Sequence, residues 1–277
     1  MKVPAPRRSG TRGQNKHENA SLIRSYYRTL LTAWGPQHWW PAHTPFEIIV
    51  GTFLTQNTAW TNVELALANL RAANLLSIEG IRCVPLPDLE RMIRPSGYFR
   101  QKAQRLKAFV AFLDRQYSGS LENLFAQPTN SLREELLALN GIGPETADSI
   151  LLYVGNHPVF VVDAYTRRIL ERHEIFPQKA DYEEIRTWFE RALAPAARKR
   201  KAEATEETKS RWHGQNSSAN FPGTVHAPSA MSTAPRTTLA QVYNDMHGLI
   251  VGVGKHYCKK SQPHCDGCPL QRFLPRS

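Results

Sequence analysis

Leu139-Asn140-Gly141-Ile142-Gly143-Pro144-Glu145-Thr146-Ala147 is the stretch that decides the fold of this 277-residue chain. A helix ends near Leu139, two glycines bracket one apolar residue, and a new helix starts at once. Glycine admits backbone conformations that a side chain would forbid, and it lets a phosphate come close to the main chain. Pro144 suits the first position of a helix, where no amide hydrogen is needed. The free amides of the turn and of the new helix form an anion site, with Ile142 plugging the turn between its two helices. Gly141, Ile142, Gly143 and Thr146 are therefore the residues expected to meet an anion such as a phosphate. By itself glycine-x-glycine is weak, since a plain helix C-cap followed by another helix reads the same way.

Downstream, eighteen residues after Glu145, comes Val161-Val162-Asp163-Ala164-Tyr165-Thr166-Arg167-Arg168. An aspartate follows an apolar run and opens a helix that bears a basic pair. Asp is a favoured N-cap, and a capping carboxylate at a cleft edge can also stabilise developing positive charge. Upstream, Leu22, Ile23, Tyr26, Tyr27, Leu30 and Leu31 recur at helical spacing over residues 20–32. Further helices are expected over 45–54, 57–73, 87–93, 100–116, 131–139, 164–173 and 239–251. Residues 159–162 read as a buried crossing segment. No period-two alternation persists anywhere, so the fold is expected to be all-α.

The balance of 35 Lys+Arg against 24 Asp+Glu leaves a formal charge of +11, which draws the chain to polyanions. Part of that charge sits in residues 1–18, which read as a disordered basic tail. Residues 195–237 shift towards Ser, Thr, Asn, Gly and Pro and read as a disordered insertion. No apolar run of roughly 18 residues is present to span a membrane, and no secretory signal opens the chain. Three of the four cysteines, Cys258, Cys265 and Cys268, cluster near the C-terminus. They read as a metal site in a reducing cytoplasm rather than as a disulfide framework.

The hairpin, its interval to Asp163 and the Thr166-Arg167-Arg168 helix resemble, in that order, the endonuclease III superfamily of helix-hairpin-helix DNA glycosylases, over about residues 20–195 and 238–270. The resemblance implies a two-lobed all-α fold with a C-terminal cysteine loop. One lobe, of six helices, would span 37–157; the other would combine 19–36 with 158–277. It implies that Asp163 is the catalytic carboxylate. Bifunctional members carry a lysine where this chain has Glu145, and a carboxylate cannot form the imine that strand cleavage requires. The expectation is a monofunctional glycosylase of base-excision repair. The rivals are a bifunctional lyase acting on oxidised pyrimidines and a non-catalytic damage-binding module.

Trp39-Trp40-Pro41 and Leu54-Thr55-Gln56-Asn57-Thr58-Ala59-Trp60 resemble the 3-methyladenine DNA glycosylases within that superfamily. Core packing is the default for such tryptophans. The resemblance instead implies a base pocket of Trp39, Trp40, Pro41 and Trp60, whose ring faces suit a cationic alkylated purine. It also implies that Gln56 enters the duplex beside the flipped base. The spacing of Cys258, Cys265 and Cys268 reproduces three of four ligand positions of the family's 4Fe-4S cluster, with Leu274 in the fourth. A 4Fe-4S cluster, a three-cysteine zinc site completed by a histidine such as His264 or His256, and a metal-free loop all remain open. The expected partner is double-stranded DNA carrying damaged bases, met by a monomer in the cytoplasm (at the nucleoid in a prokaryote), with no membrane involved.

Overall fold

The computed structural model describes residues 14–206 and 227–275. Among them twelve α-helices and no strand occur, as the lack of period-two alternation predicts. In order these are α1 (Gln14–Trp34), α2 (Pro45–Thr55), α3 (Trp60–Ala72), α4 (Ile78–Cys83), α5 (Leu86–Met92), α6 (Phe99–Tyr117), α7 (Leu121–Phe125), α8 (Thr129–Leu137), α9 (Pro144–Tyr153), α10 (Ala164–Arg172), α11 (Tyr182–Glu206) and α12 (Thr238–His256). None of the described helices is long and apolar enough to cross a membrane.

Two hydrophobic cores organise the chain. One is built by α2 through α9 around Phe53, Leu70, Leu106, Phe109, Leu136 and Ile150. The other joins α1, α10, α11 and α12 around Tyr26, Leu30, Phe160, Phe189, Tyr243 and Leu249. Eight helices, rather than six, lie between Pro45 and Tyr153. The extra ones include α4 and α7, of six and five residues, each opened by a serine whose hydroxyl accepts from the amide three residues on (Ser77 from Gly80, Ser120 from Asn123). Helices of one turn are too short to show a 3.6-residue period, and only the cap marks them.

Two expectations about disorder need correction. Residues 1–13 lie outside the described residues, but α1 starts at Gln14 and takes in the end of the expected tail. The expected insertion is ordered at both ends. Helix α11 runs through Pro195 to Glu206, with Ala197 buried and the Arg200 guanidinium 2.6 Å from Asp245 of α12. The Ala, Lys, Arg and Glu of 196–206 are strong helix formers, and a proline removes only one intrahelical hydrogen bond if the helix continues past it. At the other end, Met231 donates its amide to the Ala42 carbonyl, and the Arg236 guanidinium closes on the Met231, Ser232 and Ala234 carbonyls. Residues 207–226 lie outside the described residues.

The crossing between the cores is what places the site. Val159 to Val162 are buried and make no regular structure, so their backbone groups need other partners. Phe160 donates its amide to Glu190, and Val162 donates to the Tyr182 hydroxyl. That hydroxyl in turn donates to Asp148, which is fully buried in α9 and held by two bonds from Arg133 of α8. Arg133 also reaches Glu183 of α11 at 2.5 Å. Breaking a buried pair of this kind typically costs about 3–5 kcal/mol. The network fixes the end of the crossing, one residue before Asp163.

Candidate active site

Asp163 is the N-cap of α10. Its Oδ1 accepts from the Thr166 amide at 2.7 Å and the Thr166 hydroxyl at 2.8 Å. The cap occupies one carboxylate oxygen. The other, Oδ2, faces Nε2 of His247 in α12 at 3.6 Å. His247 lies 84 positions further along the chain, and no local signal marks it.

The hairpin joins α8 to α9 through Gly141, at φ +83, and Gly143, the N-cap of α9. Gly143 has an ordinary extended backbone, and a Cβ there would meet nothing within 4 Å, so neither strain nor crowding demands glycine. Ile142 is buried in the first core, as a plug should be. Thr146 is also buried, and its hydroxyl turns inward. Gln56, at the C-cap of α2, donates from Nε2 to the Gly141 carbonyl at 3.1 Å and to the Thr146 hydroxyl at 2.9 Å. Its Oε1 accepts from Arg105 of α6 at 2.6 Å. The amide expected to enter the duplex therefore ties the end of α2 to the hairpin here.

Beyond Gln56 the chain takes a left-handed residue at Asn57, and α3 starts at Trp60 rather than at Asn57. Beside it, the buried Lys102 ammonium donates to the Leu54 and Ser96 carbonyls, binding the end of α2 to the loop before α6. Tyr98, left-handed and two-thirds exposed, projects from that loop. Sequence reasoning missed it. An aromatic just after a glycine and before a helix was the available signal.

Trp39 and Trp40 are buried, and Trp60 is half-buried. The three rings gather with centroids 5.2 Å (Trp39–Trp40), 5.3 Å (Trp40–Trp60) and 6.2 Å (Trp39–Trp60) apart. Trp40 also meets Tyr153 of α9 at 5.6 Å. The Trp60 indole donates to Glu64, and the Lys255 ammonium stands 5.4 Å over the Trp39 ring. Pro41 is half-buried beside them in sequence. A wide concavity of about 740 Å³ lies elsewhere, along Phe112, Tyr117, Asn123, Glu135 and Leu139. No group reacting with Asp163 lines it.

Glu145 lies in the first turn of α9. Its side chain is exposed, with Asp163 and Arg167 nearby. Desolvation there, with the nearby Asp163 charge, raises its pKa to about 7, and Arg167 opposes the shift. Burial also holds His247 below the ordinary histidine range, although Asp163 pulls the other way. Of the basic pair, Arg167 donates to the Ala180 carbonyl and Arg168 to the Cys258 and Gly254 carbonyls. These arginines join elements of the second core.

Cys258, Cys265 and Cys268 come together after α12, and Arg172 of α10 donates to the Cys258 sulfur at 3.1 Å. With His173, His264 and Leu274 they line a cavity of about 20 Å³, room for one water. Among the described residues no set of three or more His, Cys, Asp or Glu side chains is arranged to hold a metal ion. The apolar Leu274 takes the place of a fourth thiolate, and Cys83 lies in α4, within the other core's helices. The residues present do not fit a cluster held by four thiolates.

A hairpin of this kind, set against a capping aspartate at the crossing between two helical cores, defines the class of helix-hairpin-helix DNA glycosylases. The chain belongs to the HhH-GPD superfamily of base excision DNA repair proteins, whose family model matches residues 50–195. It is 36% identical over 94% of its length to the "Putative DNA repair glycosylase MJ1434" of Methanocaldococcus jannaschii, covering 97% of that protein. A 3-methyladenine DNA glycosylase of H. pylori, solved with 1,N6-ethenoadenine, superposes with a TM-score of 0.62 at 30% identity, over 87% of this chain and 97% of that one. An endonuclease III trapped on DNA as a covalent intermediate shares the fold, with a TM-score of 0.63 at 20% identity over 92% and 94% of the two chains.

Proposed function

We propose that this protein is a monofunctional DNA glycosylase that hydrolyses the bond between a damaged base and its deoxyribose, with alkylated purines as the substrate class. The observation that carries the reading is Glu145. A carboxylate in the first turn of α9, near Asp163, stands where a lyase would present an amine. In the proposed reaction the C1′–N bond breaks and its electrons leave with the base. An alkylated, cationic purine departs neutral and needs no added proton. Asp163 stabilises the positive charge that develops on the sugar. Water supplies its oxygen to C1′ and gives its proton to Glu145.

The aromatic cluster supports the substrate class. Trp39, Trp40, Pro41 and Trp60 would receive the flipped base, for which ring faces attract positive charge. They close on one another in the free protein, so the base must part them. Gly141, Ile142, Gly143 and Thr146 would present the hairpin to the backbone of double-stranded DNA, Gln56 would occupy the gap in the stack, and Tyr98 would stand beside it. The protein would act as a monomer in the compartment that holds the chromosome, the cytoplasm of a cell without a nucleus. The ligand of the cysteine loop, if any, is not one that four thiolates hold.

One observation favours a second reading, an endonuclease III-like lyase on oxidised pyrimidines. Lys255 lies against Trp39, and burial depresses its pKa, as an amine nucleophile requires. Base release from DNA carrying 3-methyladenine, 7-methylguanine, hypoxanthine, uracil or thymine glycol tests both readings. We expect release of the methylated purines, its loss in Asp163→Asn (which keeps a good N-cap), and no borohydride-trapped adduct. Trapping that disappears in Lys255→Ala would establish the lyase. Wild-type release by Asp163→Asn would overturn the mechanism, and no release of any base would leave a damage-binding module.

A further inference from the structure

Behind Asp163 lies a chain of buried polar groups that the reaction above does not use. Tyr153 ends α9, is 2% exposed, and joins its hydroxyl to His247 Nδ1 by a short hydrogen bond. His247 is 4% exposed, and its Nε2 has no hydrogen-bond partner within normal distance, while Asp163 Oδ2 stands 3.6 Å away. On the other side, the Trp40 ring packs against Tyr153 with centroids 5.6 Å apart, and Trp39 lies against Trp40. Gly248, the residue after His247, lets Trp39 lie against α12; a Cβ there would come within 3.0 Å of the Trp39 Cβ. Tryptophan, tyrosine, histidine and aspartate thus form one line from the aromatic cluster to the carboxylate.

The chemistry of the last member gives the line a direction. A carboxylate oxygen accepts, so the imidazole nitrogen that faces Asp163 Oδ2, Nε2, is the one that carries the single proton of a neutral His247. Burial favours that neutral form. Nδ1 is then left to accept from the Tyr153 hydroxyl. Burial pushes that hydroxyl well above its ordinary range, so it keeps its proton to donate.

We propose that His247 is a positioning residue for Asp163, its tautomer locked by Tyr153, which aims Oδ2 while Thr166 holds Oδ1. The proposal rests on Asp163 being the catalytic carboxylate. At 3.6 Å the last link is open in the free protein. A small shift of Trp40 on receiving a base would reach His247 through Tyr153 and close it. The arrangement links filling of the aromatic cluster to readiness of the carboxylate.

Single-turnover base release, with DNA affinity and thermal melting, tests this in His247→Phe, His247→Gln and Tyr153→Phe. The groups facing Asp163 are Glu145 and Tyr153 of α9, Tyr165 of α10 and His247; those facing His247 are Asp163 and Tyr153. Removing the relay leaves the first set intact except for its donor. We expect His247→Phe and Tyr153→Phe to slow release by roughly tenfold to a hundredfold with DNA affinity unchanged. His247→Gln, whose amide nitrogen replaces Nε2, should recover most of the rate. Should His247→Phe not fold, Tyr153→Phe decides, since it removes one oxygen. A folded variant with wild-type rate, or a His247→Gln as impaired as His247→Phe, overturns the relay. If Asp163→Asn is inactive in the same assay, only the relay falls; if it releases bases, the functional reading falls with it.

Discussion

The Nε2 atom of Gln56 lies 2.9 Å from Oγ1 of Thr146, so a residue suited to enter the duplex is spent on the hairpin in the free protein. It has a second acceptor in the Gly141 carbonyl, and Arg105 donates to its oxygen. Entering DNA would require these bonds to be exchanged for bonds to a base. Gln56→Ala should therefore affect stability and binding together. Losing three half-buried hydrogen bonds should cost about 1–2 kcal/mol, measured by denaturant unfolding. Affinity for DNA with an abasic-site analogue should fall as well. Weakened binding with unchanged stability would mean that the tether holds nothing in the free protein.

The two hairpin glycines should respond differently. Gly141 is left-handed, and a Cβ on it would come within 2.0 Å of the Arg105 side chain. Gly141→Ala should cost about 1–2 kcal/mol from the backbone alone, and should push away the arginine that supports Gln56. Gly143 has an ordinary backbone and open space around it. For Gly143→Ala, the loss of an N-cap preference and the stiffer unfolded chain offset within about 0.5 kcal/mol. If a phosphate approaches the Gly143 amide, DNA affinity should still drop in this variant while its melting temperature holds. Equal DNA affinity in Gly143→Ala and wild type would move the phosphate elsewhere.

That contrast also shows what the sequence could and could not reveal. The hairpin and the Asp163 cap are contiguous, so their residue types follow from local backbone geometry. Helix α6 and the Leu22 to Leu31 stripe are long enough for their period to show. Short α4 and α7 are not. Partners that come from distant elements left no local trace: Arg105 beside Gln56, Asp148 under the crossing, His247 behind Asp163. Residues 195–206 misled for the opposite reason. The shift of 195–237 towards Ser, Thr, Asn, Gly and Pro reads as an insertion from its first residue, while the contact that keeps α11 going, Arg200 with Asp245, is made across the core.

Glu145 should leave a mark on stability as well as on catalysis. Its pKa rises from an ordinary value near 4.5 to about 7 on folding. The folded state then binds more protons than the unfolded state between those values, so its contribution to stability falls as pH rises through that window. Glu145→Gln removes this dependence. The variant's melting temperature relative to wild type should be higher at about pH 8 than at about pH 5. The open face of Glu145 exposes it to solvent screening, which keeps the difference small. A difference that shrinks as pH rises would mean that the carboxylate is stabilised, not strained, in its charged form.

Leu274 offers a direct test of the cysteine loop. It lines the same small cavity as Cys258, Cys265 and Cys268, at the sequence spacing where the resemblance to the family expects a fourth thiolate. Leu274→Cys should supply that ligand. Reconstituted anaerobically with iron and sulfide, the variant should take up more iron per chain than wild type and gain absorbance in the visible charge-transfer region. Arg172, which already donates to the Cys258 sulfur, would support the added negative charge. Stability should rise with occupancy, because a ligand that binds only the folded state favours it. Equal iron uptake by wild type and Leu274→Cys would show that a residue other than a cysteine already serves as the fourth ligand, and iron loss in His264→Ala or His173→Ala would then identify which.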